Sequence, residues 1–378
     1  MTHFLSVAGL LDIYRAIDWC RLYINYFGGD PDRMTLAGQG AGAVAAGLLS
    51  LGHGYARTWY RLILQSGSPL SPMTADPQEA ATHSYNIAVG VGCANESFRL
   101  DDHPEEVETC MKSVDPLVLM EEEAKIRLRP GPYSSFVPTW GSSRFPYNPY
   151  CDFLEGNYDI QEILIGTNHF DGAFQIAASD PDRFGSFFEN DVAIIDVDEA
   201  KSIFRQMFPY VDSSDVDEVF RIYDTSDEFR DTEDTTWIPK LQLARAVTDL
   251  SFTCPSQFFA EKATEKGVKV YYYDFKFKPE TSPWPQWMRP THFEEIQYVF
   301  GRPYLHPDEY SPGEIELSRS MIEMWTNFTK MLPTWPLYTN ARPPLDNCFI
   351  QNSKDEAIEP VPRREQCDIF RKYFGRSV

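Results

Sequence analysis

Five consecutive residues, Gly38-Gln39-Gly40-Ala41-Gly42, have the spacing of a catalytic turn without its catalytic side chain. In the pattern G-x-S-x-G, a central serine attacks the acyl carbon of the substrate. The central residue here is Gly40, which carries no hydroxyl group. The pattern therefore indicates a site shaped for acyl transfer, while the residue at its centre predicts that this chemistry does not occur.

The residues on either side of this turn predict the elements that position it. Residues 34–37 predict a short strand, and residues 43–46 predict the start of a helix. Further apolar runs at 62–64, 163–165 and 268–275 predict strands, and they are separated by helical patterns. Continuous apolar strands that alternate with helices are typical of a parallel sheet covered on both faces. The fold class predicted is therefore α/β.

The charge of the chain limits the kind of partner it can have. It contains 34 Lys and Arg against 56 Asp and Glu, which gives a formal net charge of −22. Nucleic-acid binding requires a basic face, so nucleic acid is excluded as a partner. An acidic surface either attracts a cationic ligand or basic partner, or serves to keep a secreted protein in solution.

The sequence predicts neither a metal site nor a cofactor. Its seven cysteines show no C-x-x-C spacing. Residues 224–234 are rich in acid and offer two interpretations, a calcium site or a solvated acidic loop. They lack the ligand spacing of an EF-hand, which favours the solvated loop.

Membrane insertion is not predicted within this chain. Residues 1–3 lack the basic start of a signal peptide, and the apolar run that follows is interrupted by Asp12. Another apolar run, 41–51, is shorter than the roughly 18 residues that a membrane-spanning helix needs.

Several segments in order along the chain resemble the type-B carboxylesterase and cholinesterase family. They are Gly9-Leu10-Leu11-Asp12, Phe27-Gly28-Gly29-Asp30-Pro31, Gln65-Ser66-Gly67-Ser68, Gly166-Thr167-Asn168 and the stretch from His292 to Gly301. The resemblance extends over nearly the whole chain and implies an α/β-hydrolase fold, with residues 1–378 as a single partial domain. We expect that the N-terminal part of the fold is missing from this chain.

The resemblance also places the three members of a Ser-acid-His triad. The nucleophile position corresponds to Gly40, the acid to Asp171 where the family usually has Glu, and the base to His292. These are vestigial positions, because an acid and a base without a nucleophile cannot form an acyl-enzyme. Gln39 also differs from the glutamate that the family carries beside the nucleophile.

The backbone N–H of Ala41 corresponds to one donor of the family's oxyanion hole, and we interpret it as a remnant. The family's Gly-rich segment, which supplies the other donors, has no counterpart here. Ser66 and Ser68 are interpreted as turn residues, because neither lies between a strand and a helix start.

Two disulfides and one glycan follow from the resemblance and from a sequon. Cys93 and Cys110 correspond to a short-loop disulfide of the family, and Cys254 and Cys367 to a long-range one. Asn95 begins an Asn-Glu-Ser sequon in a polar loop and is the expected glycosylation site. Three cysteines remain, and we expect them to be buried free thiols: Cys20, Cys151 and Cys348.

Gly40 within this scaffold resembles the cholinesterase-like adhesion molecules, the neuroligin and gliotactin group. That resemblance implies a non-catalytic domain at the extracellular face of the plasma membrane, as part of a longer protein. Its expected partner is an extracellular protein, with a homodimer as one arrangement. The alternative function is that of a carboxylesterase or cholinesterase-type serine hydrolase, either active or engineered to be inactive.

Overall fold

The structure is a computed structural model that describes residues 7–51, 59–125, 136–141, 145–156, 158, 160–188, 192–230, 232, 234–330, 336–338, 345–349, 356–360 and 364–374. The interpretation of residues 1–378 as one partial domain stays a prediction.

A six-stranded sheet forms the centre of the molecule. Its strands follow one another in chain order, and the first five are parallel while the sixth is antiparallel to the fifth. The strands are β1 Thr35–Gln39, β2 Arg61–Gln65, β3 Glu162–Asn168, β4 Lys269–Phe275, β5 Leu345–Phe349 and β6 Glu356–Pro360. The predicted mostly parallel sheet is confirmed, because β2 and β3 are buried along their whole length, as strands between two helical layers must be.

Helices cover this sheet. Those that the structure describes are α1 Ala8–Tyr23, α2 Ala41–Ser50, α3 Pro77–Gly90, α4 Pro104–Ser113, α5 Pro116–Lys125, α6 Pro149–Glu155, α7 Asp171–Ser179, α8 Pro181–Phe184, α9 Val197–Met207, α10 Ser213–Asp224, α11 Ile238–Thr248, α12 Cys254–Glu265, α13 Ile296–Val299, α14 Arg302–Leu305, α15 Pro312–Thr329 and α16 Arg364–Phe370. Short 3₁₀ segments lie at Ile24–Phe27, Pro31–Arg33, Asp227–Phe229, Thr235–Trp237 and Arg371–Tyr373, and a π-helical turn at Asp249–Thr253 joins α11 to α12.

Helix α15 shows how local sequence fixes an element boundary. The Ser311 hydroxyl accepts from the backbone N–H of Glu314, and the Glu314 carboxylate accepts from the backbone N–H of Ser311. This capping box satisfies two amides that the first helical turn would otherwise leave unpaired. The helix then buries Met321, Trp325 and Phe328 against β4, so its apolar face belongs to the core.

The four strand predictions are confirmed, and two strands were missed. Strands β5 and β6 contain Leu-Asp-Asn-Cys-Phe and Glu-Ala-Ile-Glu-Pro, neither of which is a continuous apolar run. They form the end of the sheet beyond β4, where pairing with a neighbouring strand determines strand formation more than composition does.

Both expected disulfides are present. Cys93 pairs with Cys110 across 17 residues, and Cys254 pairs with Cys367 across 113 residues. In the chain-entropy model these loops stabilise the fold by about 3 and about 4.7 kcal/mol. The second bond fastens α16 to the start of α12.

The unpaired thiols differ from expectation. Cys151 is exposed on α6 and Cys20 is partly exposed on α1, so neither is a buried free thiol. The side chain of Cys348 lies outside the described residues.

Two further features concern the surface. Asn95 is exposed, and its side-chain oxygen accepts from the backbone N–H groups of Ser97 and Phe98. In the part of the chain that the structure describes, no helix combines the length and the apolar character needed to cross a bilayer.

Candidate functional site

The triad positions lie at the carboxyl edge of the parallel sheet. Gly40 directly follows β1, Asp171 follows β3 after a short turn, and His292 lies in the loop that follows β4. The strand register aligns Gln39 with Gln65 and Asn168 with Phe275, which brings these loops to one edge. Open parallel sheets place their ligand sites at this edge.

The turn at Gly40 has the conformation of a catalytic elbow. Gly40 has φ 57° and ψ −124°, and its backbone N–H donates to the carbonyl oxygen of Gln65 at 2.8 Å. A side chain at this φ carries a strain of about 1–3 kcal/mol, which glycine avoids. Helix α2 begins at Ala41, so the predicted strand, turn and helix are confirmed.

The expected acid and base are in hydrogen-bond contact. His292 Nδ1 lies 2.8 Å from Asp171 Oδ1, and both residues are buried. The other carboxylate oxygen of Asp171 accepts from the backbone N–H of Asn168 at 2.8 Å. Aspartate therefore reaches the imidazole although it is one methylene shorter than glutamate, and its carboxylate fixes the ring orientation.

The second nitrogen of His292 faces Gln39 rather than a hydroxyl. His292 Nε2 lies 3.3 Å from Gln39 Nε2, so the amide donates to this nitrogen when Nδ1 carries the proton. A Cβ atom built on Gly40 would lie 2.6 Å from His292 Nε2. The imidazole thus occupies the space that a nucleophile's side chain would need, and its basic lone pair is engaged by Gln39.

A buried carboxylate lies beside this pair and was not identified from the sequence. Glu295 accepts from Asn168 Nδ2 at 2.6 Å and from Gln65 Nε2 at 3.1 Å. Burial, with the nearby charge of Asp171, raises the pKa of Glu295 to about 7. Two adjacent glutamates, two and three positions after a candidate base, were the available signal in the sequence.

The neighbouring Glu294 has a separate environment. Its carboxylate accepts from the Ser282 hydroxyl and from the backbone N–H of Thr291, the latter at 2.8 Å. Burial raises its pKa to about 7, although these hydrogen bonds act in the opposite direction. Glu294 therefore anchors the loop that carries His292.

Aromatic rings surround the imidazole of His292. Ring centroids of Phe252, Phe174 and Phe293 lie 5.1, 5.8 and 4.3 Å from that of His292. Phe252 belongs to the π-helical turn, which is a kind of turn often found beside functional sites. Phe293 is half exposed and has φ 76°, a value that bulky residues rarely adopt.

A second, partly buried histidine lies next to the acid position. His169 Nδ1 is 2.8 Å from Asp274 Oδ2, and its Nε2 is 3.1 Å from Glu228 Oε1. Arg245 donates to Glu228 and to the backbone carbonyl of His169. Burial opposes ionisation of Asp274, yet the neighbouring His169 lowers the pKa of this carboxyl overall. This network was not predicted from the sequence.

The remaining predicted site residues have less distinct environments. Ala41 is exposed at the first turn of α2, where its N–H belongs to the helix N-terminus. Ser66 is buried with φ 50°, and within the described residues its hydroxyl has no hydrogen-bond partner. The hydroxyl of Ser68 accepts from the backbone N–H of Leu70, which agrees with a turn role.

Metal-binding geometry is not found in the described parts of the chain, where no group of three or more His, Cys, Asp or Glu is placed to hold an ion. In the acidic segment, Asp224 accepts from Gln242, and Asp227 pairs with Arg230. Asp234 caps the turn at Thr236. These carboxylates are engaged one by one rather than gathered around a site.

Comparison with known proteins identifies the class to which this site belongs. The model of the carboxylesterase family matches residues 7–350. The chain belongs to this family, and its α/β-hydrolase fold agrees with that membership.

Individual relatives are cholinesterases. The chain is 30% identical to acetylcholinesterase-1 of Trittame loki over 97% of its own length and 65% of that protein. It is 30% identical to acetylcholinesterase of Bungarus fasciatus over 98% of its length and 60% of that protein, and 26% identical to cholinesterase of Mus musculus over the same shares. The chain therefore spans less than two thirds of the length of these relatives.

Proposed function

We propose that this chain is a non-catalytic cholinesterase-like domain that recognises an extracellular protein partner, as part of a cell-surface adhesion or junction protein. The observation that carries the proposal is the geometry around Gly40, where the imidazole of His292 fills the space of a nucleophile and Gln39 engages its free nitrogen. A base in this position has no hydroxyl to activate.

The size of the catalytic loss supports a role other than turnover. Removing the nucleophilic serine of subtilisin lowers kcat by about 2 × 10⁶, which corresponds to about 8–9 kcal/mol of barrier at 1.36 kcal/mol per tenfold. The Asp171–His292 pair cannot offset a loss of this size, because its function is to transfer the proton of the missing hydroxyl.

The decisive measurement is ester hydrolysis by the purified chain, with acetylthiocholine and p-nitrophenyl acetate as substrates. We expect a rate equal to that of the His292→Ala variant, since His292 has no catalytic task. Turnover above background that His292→Ala abolishes would overturn the proposal.

The second candidate is a serine hydrolase with an unusual nucleophile. It is favoured by one observation, the intact 2.8 Å contact between His292 and Asp171. Treatment with a fluorophosphonate probe followed by intact-mass measurement distinguishes the two candidates. A covalent adduct supports the hydrolase, and we expect none.

The partner-binding half of the proposal has its own test. Cells that display the full-length protein should aggregate with cells that display its partner, or with one another if the domain forms a homodimer. Analytical ultracentrifugation of the purified chain reports the homodimer directly. Aggregation that persists in Gly40→Ala cells would be consistent with recognition that does not use the elbow.

A further inference from the structure

A second glycosylation sequence lies at the end of helix α15. Asn327, Phe328 and Thr329 are the last three residues of this helix, and they form an Asn-x-Thr sequon in addition to the one that begins at Asn95. The middle residue is not proline, as an acceptor sequence requires. Because α15 packs on the sheet, this sequon can hold a glycan in the folded chain only if Asn327 faces solvent.

The spacing of side chains along α15 defines its two faces. Residues three or four positions apart share one face of a helix. The face against the sheet carries buried side chains at this spacing, which are Leu317, Met321, Trp325 and Phe328. The opposite face carries exposed or partly exposed polar residues at the same spacing, which we call the polar stripe: Glu316, Ser320, Glu323, Asn327 and, at the C-cap, Lys330. Asn327 therefore lies on the side of α15 that is turned away from the core.

The residue at the centre of the sequon fixes this orientation. Phe328 is 2% exposed, and its ring centroid lies 5.9 Å from that of Tyr271 on β4. A rotation of α15 that buried Asn327 would withdraw the Phe328 ring from this contact and return apolar surface to water. The packing of α15 on the sheet thus holds Asn327 towards solvent.

The hydrogen bonds of the sequon leave the asparagine available. Thr329 is exposed, and its hydroxyl donates to the carbonyl oxygen of Thr326 at 2.8 Å. Among the described residues, no hydrogen bond or ion pair engages the Asn327 side chain. By contrast, the amide nitrogen of the buried Asn168 makes two hydrogen bonds. The amide nitrogen of Asn327, which is the atom that an N-linked sugar is joined to, is therefore not needed for packing.

The disulfides of the chain indicate the compartment in which glycans are attached. Cys93 pairs with Cys110, and Cys254 pairs with Cys367. Such bonds form and persist in the lumen of the endoplasmic reticulum and outside the cell, and are rare in the cytosol. N-linked oligosaccharides are added to new chains in the same lumen. A chain that forms these disulfides therefore exposes both of its sequons to glycosylation.

We propose that Asn327 carries an N-linked oligosaccharide and that the polar stripe is a glycan-covered surface. The inference rests on the extracellular location in the proposed function, and it does not depend on the loss of catalysis. An N-linked oligosaccharide is bulky and strongly hydrated. It prevents a protein partner or a second copy of this chain from packing on the polar stripe, so recognition uses another face of the molecule.

The test is performed on the chain secreted from cultured mammalian cells behind a cleavable signal peptide. Digestion with peptide N-glycosidase F in ¹⁸O water converts each glycan-bearing asparagine to an ¹⁸O-labelled aspartate, which peptide mass spectrometry locates. We expect the label at Asn327 as well as at Asn95. Asn327→Gln and Asn95→Gln should each lose one of the two glycans and keep the other.

A matched pair of substitutions at Thr329 separates glycosylation from other effects of a change at this position. Thr329→Ala retains Asn327 but removes the sequon, so the label at Asn327 should be lost completely. Thr329→Ser retains the sequon and a hydroxyl that can donate to Thr326, so the label should persist. Both variants alter the same exposed side chain, so a difference between them reports the glycan.

Three results would overturn the inference. They are an unlabelled Asn327 in the secreted wild type, a label at Asn327 that persists in Thr329→Ala, and a label at Asn327 that is present in the cell lysate but absent from the secreted chain. The third would mean that the folded helix does not accommodate the glycan. Because glycans are added before folding is complete, the lysate also reports on any variant that is not secreted.

The outcome for this inference is distinguishable from the outcome for the proposed function. A secreted chain labelled at Asn95 alone would overturn the inference and leave the proposed function intact. Ester turnover by the purified chain would overturn the proposed function and leave the glycan at Asn327 in place.

Discussion

Two histidines beside the sheet edge, His292, which is buried, and His169, which is partly buried, each have an aspartate as first partner and differ in the second partner. His292 and His169 each place Nδ1 2.8 Å from an aspartate oxygen. The Nε2 of His292 meets an amide, whereas the Nε2 of His169 meets the carboxylate of Glu228. A carboxylate oxygen can only accept a hydrogen bond, whereas the amide nitrogen of Gln39 can only donate one.

This difference separates a histidine whose second nitrogen faces a donor from one whose second nitrogen faces an acceptor. The His169 ring belongs to a network in which the buried Arg245 donates to Glu228. The His292 ring keeps the orientation of a catalytic base but lacks a hydroxyl. The residue at the second nitrogen, rather than the aspartate at the first, distinguishes the two histidines.

The largest expected loss of unfolding free energy comes from breaking the network of His169, Glu228 and Arg245. Arg245→Met removes a buried guanidinium and leaves the partly buried Glu228 without it, which is expected to cost up to about 3–5 kcal/mol of unfolding free energy. The matched control is Arg230→Met, which removes an exposed pair with Asp227 and should cost less than about 1 kcal/mol. Urea unfolding measures both, and equal losses would contradict the buried-network interpretation.

A smaller change in unfolding free energy, which depends on pH, is expected from the ionisation of Glu295. The pKa of Glu295 is raised in the folded state to about 7 from 4.5, so the folded chain binds the proton more tightly than the unfolded chain. Its contribution to stability is therefore lost as pH rises from about 4.5 to 7, by up to about 3 kcal/mol at 1.36 kcal/mol per pKa unit.

Glu295→Gln removes this titration because the amide resembles the protonated acid. We expect the decline in unfolding free energy between pH 5 and 7.5 to be shallower in the variant, as measured by urea unfolding at several pH values. Glu323→Gln, on the solvent side of α15, serves as the control and should leave the slope unchanged. An unchanged slope in Glu295→Gln would mean that the carboxyl stays ionised.

Substitution of Gly40 at the elbow is expected to change the unfolding free energy by an intermediate to small amount. Gly40→Ala places a Cβ atom against His292 Nε2 and imposes a side chain at φ 57°, so we expect a loss of about 1–3 kcal/mol. In Gly42→Ala the new methyl group meets nothing within 4 Å inside a helix, so stability should stay equal or rise by up to about 1 kcal/mol. Similar losses in both variants would show that the imidazole does not fill the elbow.

The same clash predicts the outcome for the serine variant. Gly40→Ser should show no ester turnover in the p-nitrophenyl acetate assay, because the new side chain and the imidazole compete for one space. Measurable turnover would show that His292 moves aside and can act as a base.

The smallest effect on stability, and the sharpest test of the comparison, comes from Gln39→Glu. This substitution gives His292 a carboxylate at its second nitrogen, as His169 already has. The ¹⁵N chemical shifts of the His292 ring should change, because its second nitrogen would then face an acceptor in place of a donor. Gln39→Leu removes the partner altogether, and identical spectra for the two variants would contradict the role assigned to the second partner.

Much of the fold followed from local signals. Apolar runs predicted β1 to β4 because buried parallel strands are uniformly apolar, and Ser311 predicted the start of α15 because capping depends on adjacent residues. Strands β5 and β6 were missed because their sequences are mixed and their pairing is non-local. The exposure of Cys151 was missed for the same reason, since a residue type does not specify its face.

Some residues of the candidate site were also predicted from the sequence, and others were not. Gly40, Asp171 and His292 were identified from motif and resemblance, and the structure brings them together. Glu295 was not identified, because its role depends on Gln65 and Asn168, which are distant in sequence.

The sequence by itself determined that a glycine stands at the centre of a strand–turn–helix elbow, because residue identity and local spacing are written in the chain. Only the tertiary structure decided that His292 occupies the vacant space, that Gln39 engages it and that three phenylalanine rings pack around the imidazole. The physical reason is that these relations join loops from different strands. Their distances are set by packing of the whole sheet edge, which no local pattern encodes.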